Sequence, residues 1–443
     1  MKSDPTFKPQ EAWLHISLSI AGIQKLQLPP VYSRGVYVGP GRRAKIIDPD
    51  PSNRDAMNVQ ELGDPFIGGM KSRAEKLKDT GVNSPENWDE PYKSKEIDAL
   101  FIIAGDQEND VDNFAIQLVA EAAQIGCVCV GMEIGKALFN EQGKQVEHFG
   151  FRDGISQPLI RGFDKHDRKV YIDEFDPEDF ILFGLKDNPA TGEKLSWANH
   201  GSFLVFRKLE QDVMGFWDEM IAASNARSVE LCENKADPEE KFIKPEELAA
   251  MFVGRWKSGA PLVESPHFDP VRPEQSDFND FLYCHKSNLD GKSYDPEGQV
   301  TPIFSHIRVA NSRDDDIEGG GKSPAQNRKA NNMHRILRRG IPYGPPWARD
   351  AETNSDNRRG MLFLCYQRDI EQQFEHIQTS WWRQDIIYKD KKHGCIIDLL
   401  AGASPKYFSM GLERWVETKG GGYFFSPSIH ALQHLEEYVL CPS

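Results

Sequence analysis

Three short segments of the chain combine residue types that can carry acid–base or metal chemistry. They are FGFRDGISQP at 149–158, FSHIR at 304–308 and ILRRGIPYG at 336–344. The carboxylate of Asp153 can move protons, the imidazole of His306 can bind a metal, and the guanidinium of Arg338 can stabilise negative charge. Each segment also has a plain structural interpretation: a tight Asp-Gly turn, a buried core histidine and a basic turn. No spacing rule brings the three together, so their chemistry stays open at this point.

Hydrophobic patterns predict the strands and helices that must position these segments. The alternation from Trp13 to Ile20 predicts a half-buried strand, and the apolar runs at 99–104, 202–206 and 361–366 predict buried strands. Helical spacing follows these strands, near 111–122, over 209–224 and over 369–382, and another helix ends at 254. Each half of the chain therefore offers two strand–helix units. We expect an α+β fold of antiparallel sheets covered by helices, with a boundary near 199.

The bulk composition excludes several classes of protein. A length of 443 residues suggests two or three domains, and 39% hydrophobic with 27% charged residues is typical of a globular chain. The net charge of −15 repels phosphate backbones and anionic lipids, so we expect no nucleic-acid or membrane partner. No apolar run reaches the ~18 residues of a membrane span. The first residues lack a secretory signal, which predicts a cytoplasmic protein, or a secreted one if a signal was removed.

Cysteine usage points away from a disulfide framework. The chain has seven cysteines, an odd number, in 443 residues, so we expect free thiols and not a disulfide framework. Cys127 and Cys129 lie in an apolar stretch typical of a strand, which predicts two buried thiols on one face. The chain also lacks the C-x-x-C-H, H-E-x-x-H, P-loop and G-x-S-x-G motifs.

Taken in order, the three segments and their neighbours resemble the dye-decolourising peroxidase family. Gly150, Asp153 and Gly154 match the G-x-x-D-G signature of that family. Further matches follow in the same order along the chain: GSFLVFRKLEQDV at 201–213, VGRWKSGAPL at 253–262, HIRVANSR at 306–313, HRILRRGIPYG at 334–344 and GMLFLCYQRDIEQQFEHIQTSWW at 360–382. The ordered set is far more specific than any one of these motifs.

The resemblance implies a fold, a cofactor and a set of site residues. The fold would be a pair of ferredoxin-like α+β modules, over 1–198 and 199–443, with antiparallel sheets and peripheral helices. One non-covalent haem b would lie in the C-terminal module, in agreement with the missing C-x-x-C-H motif. The residues implied are His306 as proximal iron ligand, Asp153 as distal acid, Arg338 as distal arginine, Ile155, Ser156 and Gln157 beside the haem, Arg308 at a propionate, Phe363 over the distal side and Asp398 as the acidic partner of the proximal histidine.

The implied activity is that of a peroxidase. Hydrogen peroxide would be reduced to water while dyes, phenols or similar donors lose single electrons. Trp382 would be a surface relay for bulky donors because the helical stripe turns it towards solvent, whereas plain packing is the alternative. A haem- or iron-handling protein that removes iron from haem is an alternative on the same scaffold. A binding module without haem, docking through the loops at 38–95 and 311–333, is another. The oligomeric state stays open, a homo-oligomer included.

Overall fold

The computed structural model describes residues 13–26, 36–37, 45–46, 64–164, 173–182, 197–233, 244–270, 278–284, 295–303, 305–316, 322–348, 358–382 and 415–437. Its strands are β1 (Trp13–Leu18), β2 (Val36–Tyr37), β3 (Lys45–Ile46), β4 (Ala99–Ala104), β5 (Leu138–Phe139), β6 (Gln145–Val146), β7 (Leu159–Ile160), β8 (Glu174–Phe175), β9 (Ser202–Gln211), β10 (Leu337–Arg338), β11 (Ile341–Tyr343), β12 (Gly360–Gln367) and β13 (Val416–Ser426). Its helices are α1 (Ile20–Lys25), α2 (Pro65–Ser72), α3 (Ala74–Leu77), α4 (Glu108–Gln124), α5 (Val213–Glu233), α6 (Pro245–Val253), α7 (His306–Ala310), α8 (Pro324–Asn331), α9 (His376–Trp382) and α10 (Ile429–Gln433), and a π-helix covers Ile370–Glu375.

One seven-stranded antiparallel sheet organises these elements. Its strand order is β10-β12-β9-β13-β1-β4, with β11 also paired to β12. The central strand β9 pairs along its whole length with β13 on one side, and from Phe203 to Glu210 with β12 on the other. Strands from both halves of the chain therefore share one sheet. The predicted boundary at 198/199 lies just before β9, and the division into two modules stays a prediction.

Helices cover the sheet and bury its apolar side chains. Phe203 and Phe425 lie fully buried on neighbouring strands, with their ring centroids 5.4 Å apart. Phe66 of α2 packs on Phe203 at 5.2 Å. Burial of each large aromatic side chain stabilises the fold by roughly 2–3 kcal/mol relative to leaving it in water. This layer fixes the sheet against which the functional residues are placed.

A second buried cluster holds the segment that contains Asp153. Phe216 and Trp217 of α5 contact Phe149 and Phe151, which flank Gly150 of the G-x-x-D-G segment. The Trp217 indole N–H also donates to the backbone oxygen of Phe149 at 3.2 Å. The segment is therefore a packed part of the core, although it contains almost no regular secondary structure.

Most of the predicted elements are confirmed, with changes at their ends. The strand predicted at 99–104 is β4 with the same bounds, but it lies at the edge of the sheet and none of its residues is fully buried. The run at 202–206 is the first half of β9, and the run at 361–366 lies inside β12. The helix predicted from 209 is wrong at its start, because β9 continues to Gln211 and α5 begins at Val213. The helix predicted over 369–382 begins as the π-helix and becomes α9. The α+β class with antiparallel sheets and peripheral helices is confirmed.

The prediction for Cys127 and Cys129 is wrong. Both residues follow α4 in an extended stretch without assigned strand, and both side chains are exposed. Apolar alternation makes a strand only where a partner strand is available, and this stretch pairs with none of the described strands. Within the described ranges, no helix combines the length and apolar character that crossing a membrane requires.

Candidate active site

A cavity of about 320 Å³ brings the three chemically suggestive segments together. Its wall contains residues of the segment 149–156, of β9, of the end of α6, of α7, of 335–338, of β12 and of the helical stretch after β12. A volume of this size falls in the range of small-molecule and cofactor sites. Residues more than a hundred positions apart thus share one enclosed space.

Asp153 and Arg338 form an ion pair on this wall. Arg338 Nη1 lies 3.4 Å from Asp153 Oδ1, and Arg338 Nη2 donates to the backbone oxygen of Ser156 at 3.2 Å. Both side chains keep about a third of their surface accessible, 30% for Asp153 and 28% for Arg338. The contact is long for a salt bridge, so neither group is locked by the other. A small polar molecule beside the pair could contact both groups.

Local structure explains how these two groups meet. The two glycines of the signature, Gly150 and Gly154, have φ angles of +94° and +76°, which side-chain-bearing residues rarely adopt. Arg338 lies on β10, paired with Cys365 of β12. Gln157 links the two segments, because its Oε1 accepts from the Arg338 N–H at 3.2 Å and its Nε2 donates to the Arg338 oxygen at 3.1 Å.

His306 lines the same cavity and is the first residue of α7. Burial lowers the pKa of His306 to about 4, and the positive charge of Arg338 adds to this effect. The imidazole is therefore neutral at neutral pH. A neutral imidazole keeps a nitrogen lone pair for a metal ion, which a protonated one does not. The described residues contain no cluster of three or more His, Cys, Asp or Glu side chains suited to a metal.

The other residues predicted beside the cofactor divide into two groups. Ile155, Ser156 and Phe363 line the cavity together with Asp153, His306 and Arg338. Gln157 does not reach this wall; it lines a small neighbouring polar space and holds the backbone of Arg338. Its contribution is to position the arginine.

The structure does not bring Arg308 to the cavity, which corrects the expectation that it contacts a propionate. An arginine has five N–H donors, and all five of Arg308 are used. Nε and Nη2 donate to the Asp315 carboxylate, Nη1 donates to Asp295 Oδ2 and to the Thr301 oxygen, and Nη2 also donates to the Asp295 oxygen. The side chain is buried together with Asp295, while Asp315 is half-buried, and the arginine holds the loops that flank α7.

Two further predicted residues lie outside the described part of the chain. Asp398, expected as the acidic partner of His306, is not among the described residues. The helix α9 reaches Trp382, but the side chain of Trp382 is likewise outside the described part. Both assignments stay predictions.

The sequence did not single out a group of charged residues on the cavity wall. Arg255 is buried, and burial lowers its pKa to about 9, with Arg313 and Arg338 adding to the effect. Its Nη1 donates to the oxygens of Gly259 and Phe278, whereas its Nη2 is buried without a hydrogen-bond partner among the described residues. Burial also lowers the pKa of Arg335 to about 9. The VGRWKSGAPL match contained Arg255, but a sequence motif does not show which hydrogen-bond or charge partners an arginine has.

Cations outnumber anions on this wall. Asp79 neutralises Arg207 through a buried bidentate ion pair. The remaining charged lining residues are the cations Arg152, Arg255, Arg335 and Arg338 and the acids Glu147 and Asp153. Burial raises the pKa of Glu147 to about 7, which reduces the negative charge further. In a chain with a net charge of −15, such a cavity favours an anionic ligand.

Comparison with known proteins agrees with this geometry. The model of the DyP dimeric alpha+beta barrel domain matches residues 55–129, and that of the Dyp-type peroxidase C-terminal domain matches 250–389. Peroxidase 2 of Mycetinis scorodonius is 32% identical over 416 residues, covering 85% of this chain and 72% of that protein. The chain belongs to the dye-decolourising peroxidase family. The two family models match one segment in each half of the chain.

Two more matches bear on this family assignment. A solved structure from a study of an ancestral D-type dye-decolourising peroxidase has a TM-score of 0.64 at 29% identity, covering 96% of this chain and 86% of that one. A deferrochelatase of Shigella flexneri is 31% identical over 143 residues, but these are 32% of this chain and 23% of that protein. The peroxidases therefore match nearly the whole chain, and the deferrochelatase only a part of it.

Proposed function

We propose that this family member is a haem peroxidase that reduces hydrogen peroxide and oxidises dyes, phenols or similar aromatic donors in one-electron steps. The observation that carries the proposal is the joint position of His306, Asp153 and Arg338 on one cavity wall. A metal ligand, a proton carrier and a fixed positive charge are the three groups that peroxide reduction on haem requires.

The residues around the cavity fit haem. The wall is largely apolar, as a porphyrin face requires, and includes Ile155, Phe363 and Phe374. Haem carries two propionate carboxylates, and the unpartnered Nη2 of Arg255 and the half-buried Arg335 are cations that would gain from them. A charge-assisted hydrogen bond to a buried guanidinium is about twice as strong as a neutral one. Arg255 and Arg335 would therefore bind the propionates, in place of Arg308.

His306 would hold the iron through its neutral imidazole. Burial and the neighbouring Arg338 lower the pKa of this ring to about 4, so the imidazole is neutral at neutral pH. The haem would supply the redox chemistry, because its iron and porphyrin store the oxidising equivalents taken from peroxide. With no C-x-x-C-H motif and one such histidine, we infer one non-covalent haem b per chain.

Asp153 would transfer the peroxide proton, and Arg338 would stabilise the charge on the leaving oxygen. The Asp153 carboxylate would accept the proton of one peroxide oxygen and then return it to the other, which leaves as water. Arg338 Nη1, 3.4 Å from that carboxylate, stabilises negative charge on the leaving oxygen while the O–O bond breaks. In total, peroxide, two protons and two electrons give two water molecules, and two aromatic donors each supply one electron.

Bulky aromatic donors such as large dyes would react at the protein surface. The cavity of about 320 Å³ is small compared with a haem and a large dye together, so a bulky donor would react at the surface. Trp382 stays the proposed relay for such donors. A homo-oligomer, a cytoplasmic location and the lack of nucleic-acid and membrane partners likewise stay predictions.

A single preparation tests the proposal against the iron-handling alternative. The purified protein is loaded with ferric haem and mixed with peroxide and an anthraquinone dye, and the dye colour and the haem spectrum are followed. A peroxidase bleaches the dye with many turnovers and keeps its haem iron. Metal-free protoporphyrin fluorescence without dye bleaching would instead favour removal of iron from haem.

A further inference from the structure

Glu147 ties together the backbone that leads to Asp153. Its Oε2 accepts from the Phe149 N–H at 2.9 Å, and its Oε1 accepts from the Phe151 N–H at 2.9 Å. The Gln211 side-chain amide on β9 donates to Oε2 at 2.7 Å. Its own backbone closes the same loop, because the Glu147 N–H donates to the Phe151 oxygen at 3.0 Å. One side chain thus spans the turn that opens the G-x-x-D-G segment.

Only a carboxylate satisfies this arrangement. Three N–H donors converge on two oxygens, and an ionised carboxylate is an acceptor at both. A glutamine would place its own N–H₂ against at least one of these donors. The lost acceptor would leave a buried N–H without a partner, which is costly. The chemistry of the loop therefore selects glutamate at 147.

The position of Asp153 depends on this loop. The backbone N–H of Asp153 reaches the Gln145 oxygen only at 3.4 Å, which is a weak contact. After Phe151, two further contacts hold the segment: Arg152 forms an isolated β-bridge with Val146, and Asp153 contacts Arg338. If the Phe149 and Phe151 N–H groups lost their acceptor, the segment before Asp153 would be freed at its start.

Glu147 faces the cavity that Asp153 faces. Both line its wall, and the charge of Asp153 contributes to the raised pKa of Glu147. Lys257, which lies 4.0 Å above the Trp217 ring, is near enough for the charge of Glu147 to oppose the lowering of its pKa by burial. Glu147 is therefore an acidic group on the cavity wall that takes no part in the proton transfer assigned to Asp153.

We propose that Glu147 is a positioning residue of the peroxide site: its carboxylate fixes the backbone at 149–151 and thereby the placement of Asp153 against Arg338. This inference rests on the proposed function of Asp153. Glu147 does not touch peroxide in this scheme, and it acts through the loop alone.

The test is a double-mutant cycle in haem-loaded protein. Peroxide reaction rates are measured by stopped flow for wild type, Glu147→Gln, Asp153→Asn and the double variant, together with haem content from the Soret band. A misplacement of about 1 Å can slow a reaction roughly 100-fold, so we expect Glu147→Gln to be slower by about 10–100-fold. In the Asp153→Asn background, the same change should slow the reaction less than about threefold.

A second readout does not depend on activity. Amide hydrogen exchange of the peptide 147–154 reports the two backbone N–H groups that Glu147 holds. Their exchange should speed up at least about tenfold in Glu147→Gln, with the rest of the protein unchanged. Asp179→Asn is the matched control, since Asp179 also accepts a backbone N–H with a raised pKa but lies off the cavity wall.

The outcomes separate this inference from the proposed function. A wild-type peroxide rate in Glu147→Gln, or equal slowing in both backgrounds, overturns the positioning role while Asp153 keeps its own. A wild-type rate in Asp153→Asn overturns the proton-transfer role of Asp153 and this inference with it, whereas the proposed function itself fails only if the haem-loaded wild type does not turn over peroxide and dye. If Glu147→Gln fails to bind haem, Glu147→Asp replaces it. The shorter carboxylate keeps the charge but cannot reach both N–H groups, so an intermediate rate supports the role and a wild-type rate refutes it.

Discussion

Replacing Arg255 by methionine should stabilise the haem-free protein. The drop in the pKa of Arg255 to about 9 corresponds to a cost of about 5 kcal/mol for keeping this charge buried. Methionine removes that cost but leaves the oxygens of Gly259 and Phe278 without their donor. Two unsatisfied carbonyls cost about 2–4 kcal/mol together. The net effect is a gain of about 1–3 kcal/mol in the free energy of unfolding.

A matched control reverses the sign. Arg308 is as deeply buried as Arg255, but both of its acidic partners, Asp295 and Asp315, are in place. Arg308→Met would leave the buried Asp295 and the half-buried Asp315 without their counter-charge, which costs about 3–5 kcal/mol. Urea unfolding of the haem-free wild type and of both variants measures the two effects. If Arg255→Met and Arg308→Met destabilise the protein equally, the reasoning about the unpaired guanidinium of Arg255 is refuted.

The same substitution should weaken haem binding. Losing one charge-assisted hydrogen bond to a propionate costs about 1.5–3 kcal/mol, or roughly 10–100-fold in the rate of haem loss. Haem transfer to excess apomyoglobin measures that rate. Arg255→Lys keeps the charge and should lose less affinity than Arg255→Met. Unchanged haem loss in Arg255→Met would mean that this arginine does not contact the cofactor.

Three other predictions concern single residues. His306→Ala should lose most of its haem, and full haem content with an unchanged Soret band would exclude His306 as the ligand. Trp382→Phe should slow bulky anthraquinone dyes and spare small phenols, whereas equal effects on both donors would indicate simple packing. Because the folded-state pKa of Glu147 is raised to about 7, its contribution to stability is present below pH 4.5 and is lost as the pH rises through 7. Relative to Glu147→Gln, the free energy of unfolding of wild type should therefore fall by up to about 3 kcal/mol between pH 4.5 and 7.5 in chemical denaturation, and parallel pH profiles would contradict this.

Local patterns were sufficient for the elements with strong apolar signals. The run at 99–104 predicted β4 because every residue in it is apolar and polar residues flank it. The strand β13 was not predicted, and it contains three consecutive glycines at 420–422. In the structure, a Cβ at Gly420 would lie within 2.2 Å of the Tyr92 ring, so close packing selects glycine inside this strand. Contacts of that kind are invisible in a single sequence.

The site was only partly accessible to sequence reasoning. Asp153 and Arg338 are separated by 185 positions, and no local rule brings them together; the family resemblance supplied that link. Arg308 was assigned a propionate because its motif is shared, but the motif does not show that Asp295 and Asp315 occupy its donors. Glu147 and Arg255 were missed for the same reason, because their significance lies in which partners they have.

The most direct test of the central claim is the reaction of the ferric protein with hydrogen peroxide. Stopped-flow mixing, followed at the Soret band, gives the second-order rate for wild type, Asp153→Asn and Arg338→Leu at matched haem content. If Asp153 moves the proton and Arg338 stabilises the leaving oxygen, the rates fall by roughly 10²–10⁴ and ~10²–10³ respectively. Wild-type rates in both variants, with haem fully bound, would contradict the assignment of peroxide activation to this pair.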